Sequence, residues 1–170
     1  MKPFILCLAV LFLYSITIVT AQDFRMGQRN NYELRYVTDE ISVSASLFCD
    51  SSAYSDGRII YNYDQGLAAL EDQLKYLLRL DDSFVPLAGS YWTDPIKYKV
   101  YFYDHSNVLR VYLNGLLVDQ LPFDFPVLYK DSDTLFTKVV TVPTVVVSIN
   151  AGRSRYRVSF LRSGLRCLST

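Results

Sequence analysis

Ile96-Lys-Tyr-Lys-Val-Tyr-Phe-Tyr103 is a run of β-branched and aromatic residues. The polar tetrapeptide Asp104-His-Ser-Asn107 follows it, and then Val108-Leu-Arg-Val-Tyr-Leu113, Asn114-Gly115 and Leu116-Leu-Val-Asp-Gln-Leu121. An Asn-Gly pair between two apolar runs favours a type I′ turn, because both central residues of that turn need φ > 0. The stretch therefore predicts a three-stranded antiparallel meander with turns at 104–107 and 114–115. A meander is a frame and names no chemistry by itself.

Downstream, Leu121-Pro-Phe-Asp-Phe-Pro126 sets two phenylalanines between two prolines, which predicts a stiff loop outside any sheet interior. Residues 134–141, 144–149 and 154–161 read as further strands, with turns at Val142-Pro143 and Asn150-Ala-Gly152. Upstream, Ile41-Ser-Val-Ser-Ala-Ser-Leu47 alternates apolar and serine positions and reads as a half-buried strand. Residues 32–38 and 58–63 add two more strand candidates. The period changes after Asp64, the predicted N-cap: Leu67, Leu70, Leu74, Leu77 and Leu78 recur at helical spacing and predict a helix over 65–80. The expected fold is mainly β, with about nine antiparallel strands in a sandwich or barrel and one amphipathic helix packed on a sheet. An α+β arrangement is the alternative.

At the N-terminus, Lys2 precedes an apolar run from Phe4 to Val19 and the short residues Val19-Thr-Ala21. This is the layout of a secretory signal peptide, so residues 1–21 are expected to be removed and 22–170 to form one secreted, extracellular domain. The alternative is a signal anchor that stays attached. No later stretch is apolar for long enough to span a bilayer, so no transmembrane span is expected once the signal is cleaved. About 150 residues suit one domain with its own core. Half the chain is hydrophobic and the formal net charge is zero, which argues for a packed globule and against a nucleic-acid partner.

Cys7 lies in the leader, so Cys49 and Cys167 are the cysteines of the mature domain; in an oxidising compartment they are expected to pair in one disulfide. Asn-x-Ser/Thr sequons and dibasic sites are both missing. Of the groups that carry catalysis, His105 is the single histidine and sits in a predicted turn, and no Gly-x-Ser-x-Gly elbow accompanies it. Metal spacing and a phosphate-cradling glycine loop are lacking too, so no enzyme activity, metal or cofactor is expected.

Two surfaces carry the functional expectation. After Asp133 the chain has no acidic residue but contains Lys138, Arg153, Arg155, Arg157, Arg162 and Arg166. On a strand, Arg153, Arg155 and Arg157 share one face, a ladder suited to an anionic partner: a glycan, a lipid surface or an acidic protein. The second surface is the apolar loop of Phe123 and Phe125, which serves as a binding tip where exposed and as core where covered. The chain is thus expected to be a non-enzymatic extracellular binding protein. Its 14 tyrosines make a tyrosine-cross-linked coat component one alternative, and a carrier of a small apolar ligand is another.

Overall fold

The computed structural model describes residues 2–131, 137–153 and 164–169. Three helices precede seven strands: α1 (Lys2–Ser46), α2 (Ser51–Ser55), α3 (Tyr63–Leu78), β1 (Lys97–Tyr103), β2 (Val108–Leu113), β3 (Leu116–Pro122), β4 (Val127–Lys130), β5 (Thr137–Val140), β6 (Thr144–Arg153) and β7 (Gly164–Ser169). Strands β3-β2-β1-β6-β7 form one five-stranded sheet, and β4 and β5 form a separate ribbon. Every strand pairing is antiparallel.

The mainly β expectation of about nine strands is overturned, since helix exceeds strand and the 45-residue α1 takes in both strands expected between Tyr32 and Leu47. Leu34, Val37, Thr38, Ile41 and Ala45 are buried at spacings of three and four, the stripe of a helix lying on a sheet. The serines that suggested a wet strand face are served inside the helix. Ser42 donates to the Asp39 carbonyl at 2.8 Å, Ser44 to Glu40 at 3.1 Å and Ser46 to Val43 at 2.8 Å. Residues 58–63 form no named strand, and Tyr61 makes only an isolated bridge with Cys49.

Helix α3 forms near its expected place, but Asn62 is the N-cap, its side chain accepting from the Gln65 amide at 3.2 Å. At the far end Arg79 turns the chain with a left-handed φ of 52°, and the Asp81 carboxylate accepts from the amides of Ser83 and Val85 at 2.9 and 2.8 Å. Buried Leu67, Leu70, Leu74 and Leu78 face the core. Gly66 lets α3 approach α1 closely: a Cβ there would stand 2.9 Å from the Ala45 carbonyl oxygen.

The meander forms as the Asn-Gly turn requires, with φ of 48° at Asn114 and 77° at Gly115. Period two then divides the sheet into two faces. Tyr98, Val100 and Phe102 of β1, Tyr112 of β2, and Val145, Val147 and Ile149 of β6 face the helices and form the main core. On the opposite face Tyr103 and Val146 join Tyr129 and Val140 from the β4–β5 ribbon, with Phe123 and Phe125 packed alongside. The strand expected at 154–161 lies outside the described residues.

Replacing Gly66 with alanine tests the helix contact. Intrinsic propensity favours Ala by about 1 kcal/mol, whereas forcing a methyl against a backbone carbonyl costs about 1–3 kcal/mol. Urea unfolding of Gly66→Ala is therefore expected to give lower stability; a gain would mean that α1 and α3 are not in this contact.

Candidate functional site

The turn after β1 holds the most connected polar group among the described residues. Asp104 is fully buried. One carboxylate oxygen accepts from the Tyr63 hydroxyl at 2.5 Å and the Tyr61 amide at 3.2 Å; the other accepts from the Ser106 hydroxyl at 2.5 Å and its amide at 3.0 Å. Beside it, His105 Nδ1 accepts from the Ile59 amide at 2.9 Å, and the His105 amide donates to the Ile59 carbonyl at 3.0 Å. The Arg110 guanidinium lies 4.0 Å from the centre of the Tyr63 ring. The turn is thus tied to the 59–63 segment by side chains from both sides.

This arrangement differs from a nucleophile triad. Ser106 donates to Asp104 and the Nδ1 of His105 is engaged by a backbone amide, so the Ser-His-Asp relay order is not formed by these three residues. Among the described residues no three His, Cys, Asp or Glu side chains gather as a metal site.

Burial pushes the Tyr63 phenol up to about 12, and its bond to Asp104 adds to this. Tyr103 is also pushed up to about 12 by burial, with Tyr101 contributing. Burial raises Tyr61, Tyr98 and Tyr129 further. At Tyr98 the hydroxyl donates to the Glu71 carboxylate, which strengthens the effect. The Cys49 thiol is raised by burial first and the Asp104 charge second.

Cys49 carries a free thiol 3.6 Å from the Ser46 carbonyl oxygen. It lines a cleft of about 350 Å³ between the end of α1 and the start of β6, together with Ser42, Tyr54, Tyr61 and Val145. Cys167 lies on β7 opposite Ile149, and its side chain is outside the described residues. Arg153 ends β6, its backbone paired with Gly164, whereas Arg155, Arg157 and Arg162 fall outside the described residues. The expected arginine ladder therefore has a known root and no described rungs.

Phe123 and Phe125 are half-buried, not a free tip. Phe123 packs edge-on against Tyr103 at 5.2 Å, and Phe125 against Phe123 at 5.0 Å and His105 at 6.2 Å. The tyrosines divide: Tyr32, Tyr36, Tyr54 and Tyr76 are exposed, while Tyr61, Tyr98, Tyr103, Tyr112 and Tyr129 are buried.

Two further surfaces are exposed, the first of them on the apolar run already singled out at the N-terminus. Residues 3–17 of α1 are exposed throughout and carry Phe4, Ile5, Leu6, Leu8, Val10 and Leu11 among other apolar side chains. Exposed Phe24, Arg25, Met26 and Arg29 follow on the same helix. The signal for both was a helix-forming sequence running from Phe4 to Met26 with neither Gly nor Pro to stop it. The edge strand β3 is exposed at all seven positions, Leu116, Leu117, Val118 and Leu121 included. No protein-family model, curated protein or solved structure matches the chain.

Asp104→Asn keeps the shape of the turn but weakens the bonds it accepts, so a loss of about 1–3 kcal/mol is expected on urea unfolding; unchanged stability would show the cluster to be incidental. The phenols give a second expectation. Their folded pKa values are raised, so their contribution is fully present below the ordinary tyrosine pKa near 10. It is lost as pH climbs toward about 12 at Tyr63 and Tyr103. Thermal unfolding followed from pH 9 to 12 should show stability falling above pH 10, with a shallower fall in Tyr63→Phe. An equal slope in that variant would contradict the assignment.

Proposed function

We propose that this chain is a membrane-tethered, extracytoplasmic interaction module that acts by binding and not by catalysis. The observation that carries the reading is that one uninterrupted helix, α1, lies bare and apolar over its first half and is built into the domain core over its second. From Pro3 to Gln22 there is no charged residue, and twenty helical residues rise about 30 Å, the thickness of a hydrocarbon core. The hydroxyls in this stretch are served within the helix: Ser15 donates to Leu11, Thr17 to Leu13 and Thr20 to Ile16, at 2.8, 2.8 and 3.0 Å. Self-satisfied polar groups are what a helix in lipid requires.

The non-catalytic part of the proposal is supported by the structural engagement of Asp104, His105 and Ser106. For a partner, the sequence favours an anionic molecule at the arginine-rich C-terminal stretch. A disulfide between Cys49 and Cys167 belongs to the same proposal only as an oxidised form of the domain, because the Cys49 thiol is free in the structure. A second reading keeps the domain but releases it: Val19-Thr-Ala21 suits signal cleavage, which would leave a secreted binding protein.

Carbonate washing of membranes from expressing cells, with N-terminal sequencing of the product, separates the two. The full-length chain is expected to stay in the pellet with its leader intact. A soluble product beginning at Gln22 would overturn the tether and leave the secreted form.

A further inference from the structure

The outer face of the core half of α1 is open to solvent along its length. Arg25, Arg29, Tyr32, Tyr36, Asp39 and Val43 are all exposed, and they follow one another at alternating spacings of four and three residues. Such spacing draws a single seam along a helix, the pattern by which one helix packs on another. The seam lies opposite the buried stripe of Leu34, Val37, Ile41 and Ala45, so nothing in the domain core covers it. At its middle stand two large rings, Tyr32 at 74% exposure and Tyr36 at 62%. Helix α3 runs antiparallel to α1, with Gly66 against Ala45 at one end and Leu77 and Leu78 beside Asn30 and Glu33 at the other. Tyr76, 78% exposed on α3, therefore stands level with the middle of the seam.

We propose that this seam is the contact between two copies of the chain, paired antiparallel along α1 about a two-fold axis at the level of Leu34. The spacing reads the same in both directions, so the axis sets Tyr32 against Tyr36, Arg29 against Asp39 and Arg25 against Val43 of the second copy. Each contact occurs twice, as an isologous interface requires. The charges select this orientation. In a parallel pair Arg25 would meet Arg25, Arg29 would meet Arg29 and Asp39 would meet Asp39, and like charges so placed are costly. In the antiparallel pair the basic half of the seam, Arg25 and Arg29, lies on the acidic half, Asp39 with exposed Glu40 beside it. Among the described residues neither Arg29 nor Asp39 is in an ion pair within its own chain.

Tyrosine and arginine are the residues that interface centres favour. At the area aromatic side chains ordinarily bury, Tyr32, Tyr36 and Tyr76 offer about 300–500 Å² per copy. A standard interface takes roughly 800 Å² per partner, and the arginine stems and Val43 supply much of the remainder. The pairing is independent of the tether and limits it in one respect. Antiparallel helices send their bare halves out of opposite ends of the pair, so two copies held by their leaders in one bilayer cannot form it.

Sedimentation equilibrium of the full-length chain in density-matched detergent reads the pairing whatever the fate of the leader. A dimer is expected. Its dissociation constant should rise at least about tenfold in Arg29→Asp and in Asp39→Arg, and return to within about threefold of the starting value in the exchange Arg29→Asp/Asp39→Arg. Both side chains are exposed, so the circular dichroism of the three variants should match that of the parent chain. A chain that stays monomeric overturns the pairing. A dimer indifferent to all three variants is held elsewhere, by the bare half of α1 or another surface, and overturns it too. Weakening in both single variants without recovery in the exchange overturns the antiparallel register.

Discussion

The packing of the Leu34–Ala45 stripe of α1 against β6, β7 and α3 determines where every other part of the domain stands. Helix α3 can lie against the same stretch of α1 only because Gly66 presents no side chain to Ala45. With both helices in place, the inner face of the sheet has room for Val100, Val147 and Ile149 between larger Tyr98, Phe102 and Tyr112. Close-packed interiors tolerate few voids, so the small residues Ala45 and Gly66 where the helices meet and the leucines that flank them are complementary choices. The Phe loop and the β4–β5 ribbon then cover part of the other face, which makes the domain three layers thick over β1 and β6.

Tyrosine does in this fold what neither phenylalanine nor a carboxylic acid does alone. Tyr63 packs edge-on against Phe102 at 5.4 Å and passes its hydroxyl proton toward Asp104. Tyr98 packs against Phe84 at 5.4 Å and donates to Glu71 on the helix layer. Each ring contributes apolar area to the core, and each hydroxyl reaches a carboxylate that burial would otherwise leave poorly solvated. The two pairs bind the layers on either side of the main core, one at the β1–β2 turn and one beside the Asn114–Gly115 turn. The abundance of tyrosine thus has a structural explanation at the buried positions, and the exposed set at Tyr32, Tyr36, Tyr54 and Tyr76 needs a separate one.

Sequence made the middle of the chain legible because its signals there are local. An Asn-Gly turn demands positive φ, and five leucines at helical spacing demand one apolar stripe. Both demands were met. The N-terminal third was misread because two periods coincide in it: Ile41, Val43, Ala45 and Leu47 alternate, while Leu34, Val37, Ile41 and Ala45 mark a helical face. β-branched residues and serine tipped the reading toward strand, but such preferences are weaker than tertiary packing. The dividing line drawn after Ala21 also separated an apolar segment from a polar one, hiding the fact that a single helix continues through both. Strand β4 escaped notice because four residues, Val127–Lys130, carry too little periodicity to register. The contacts of Asp104 were not legible at all, since its partners Tyr61 and Tyr63 lie more than forty residues away in sequence.

The junction on α1 explains how one helix serves two surroundings. Between the bare half and the core half lie Asp23 and Asn30, both buried although polar, with Gly27 between them. Asn30 donates to the Met26 carbonyl at 2.7 Å, so part of its polarity is absorbed by the helix itself. Core burial of α1 begins in earnest only at Leu34, well past the apolar run, and the stripe that holds the sheet owes nothing to residues before Asp23. Removing residues 1–21 would leave that stripe, the α3 contact and both sheet faces as they are. The folded domain is therefore compatible with either fate of its leader. Its stability does not choose between them; processing does.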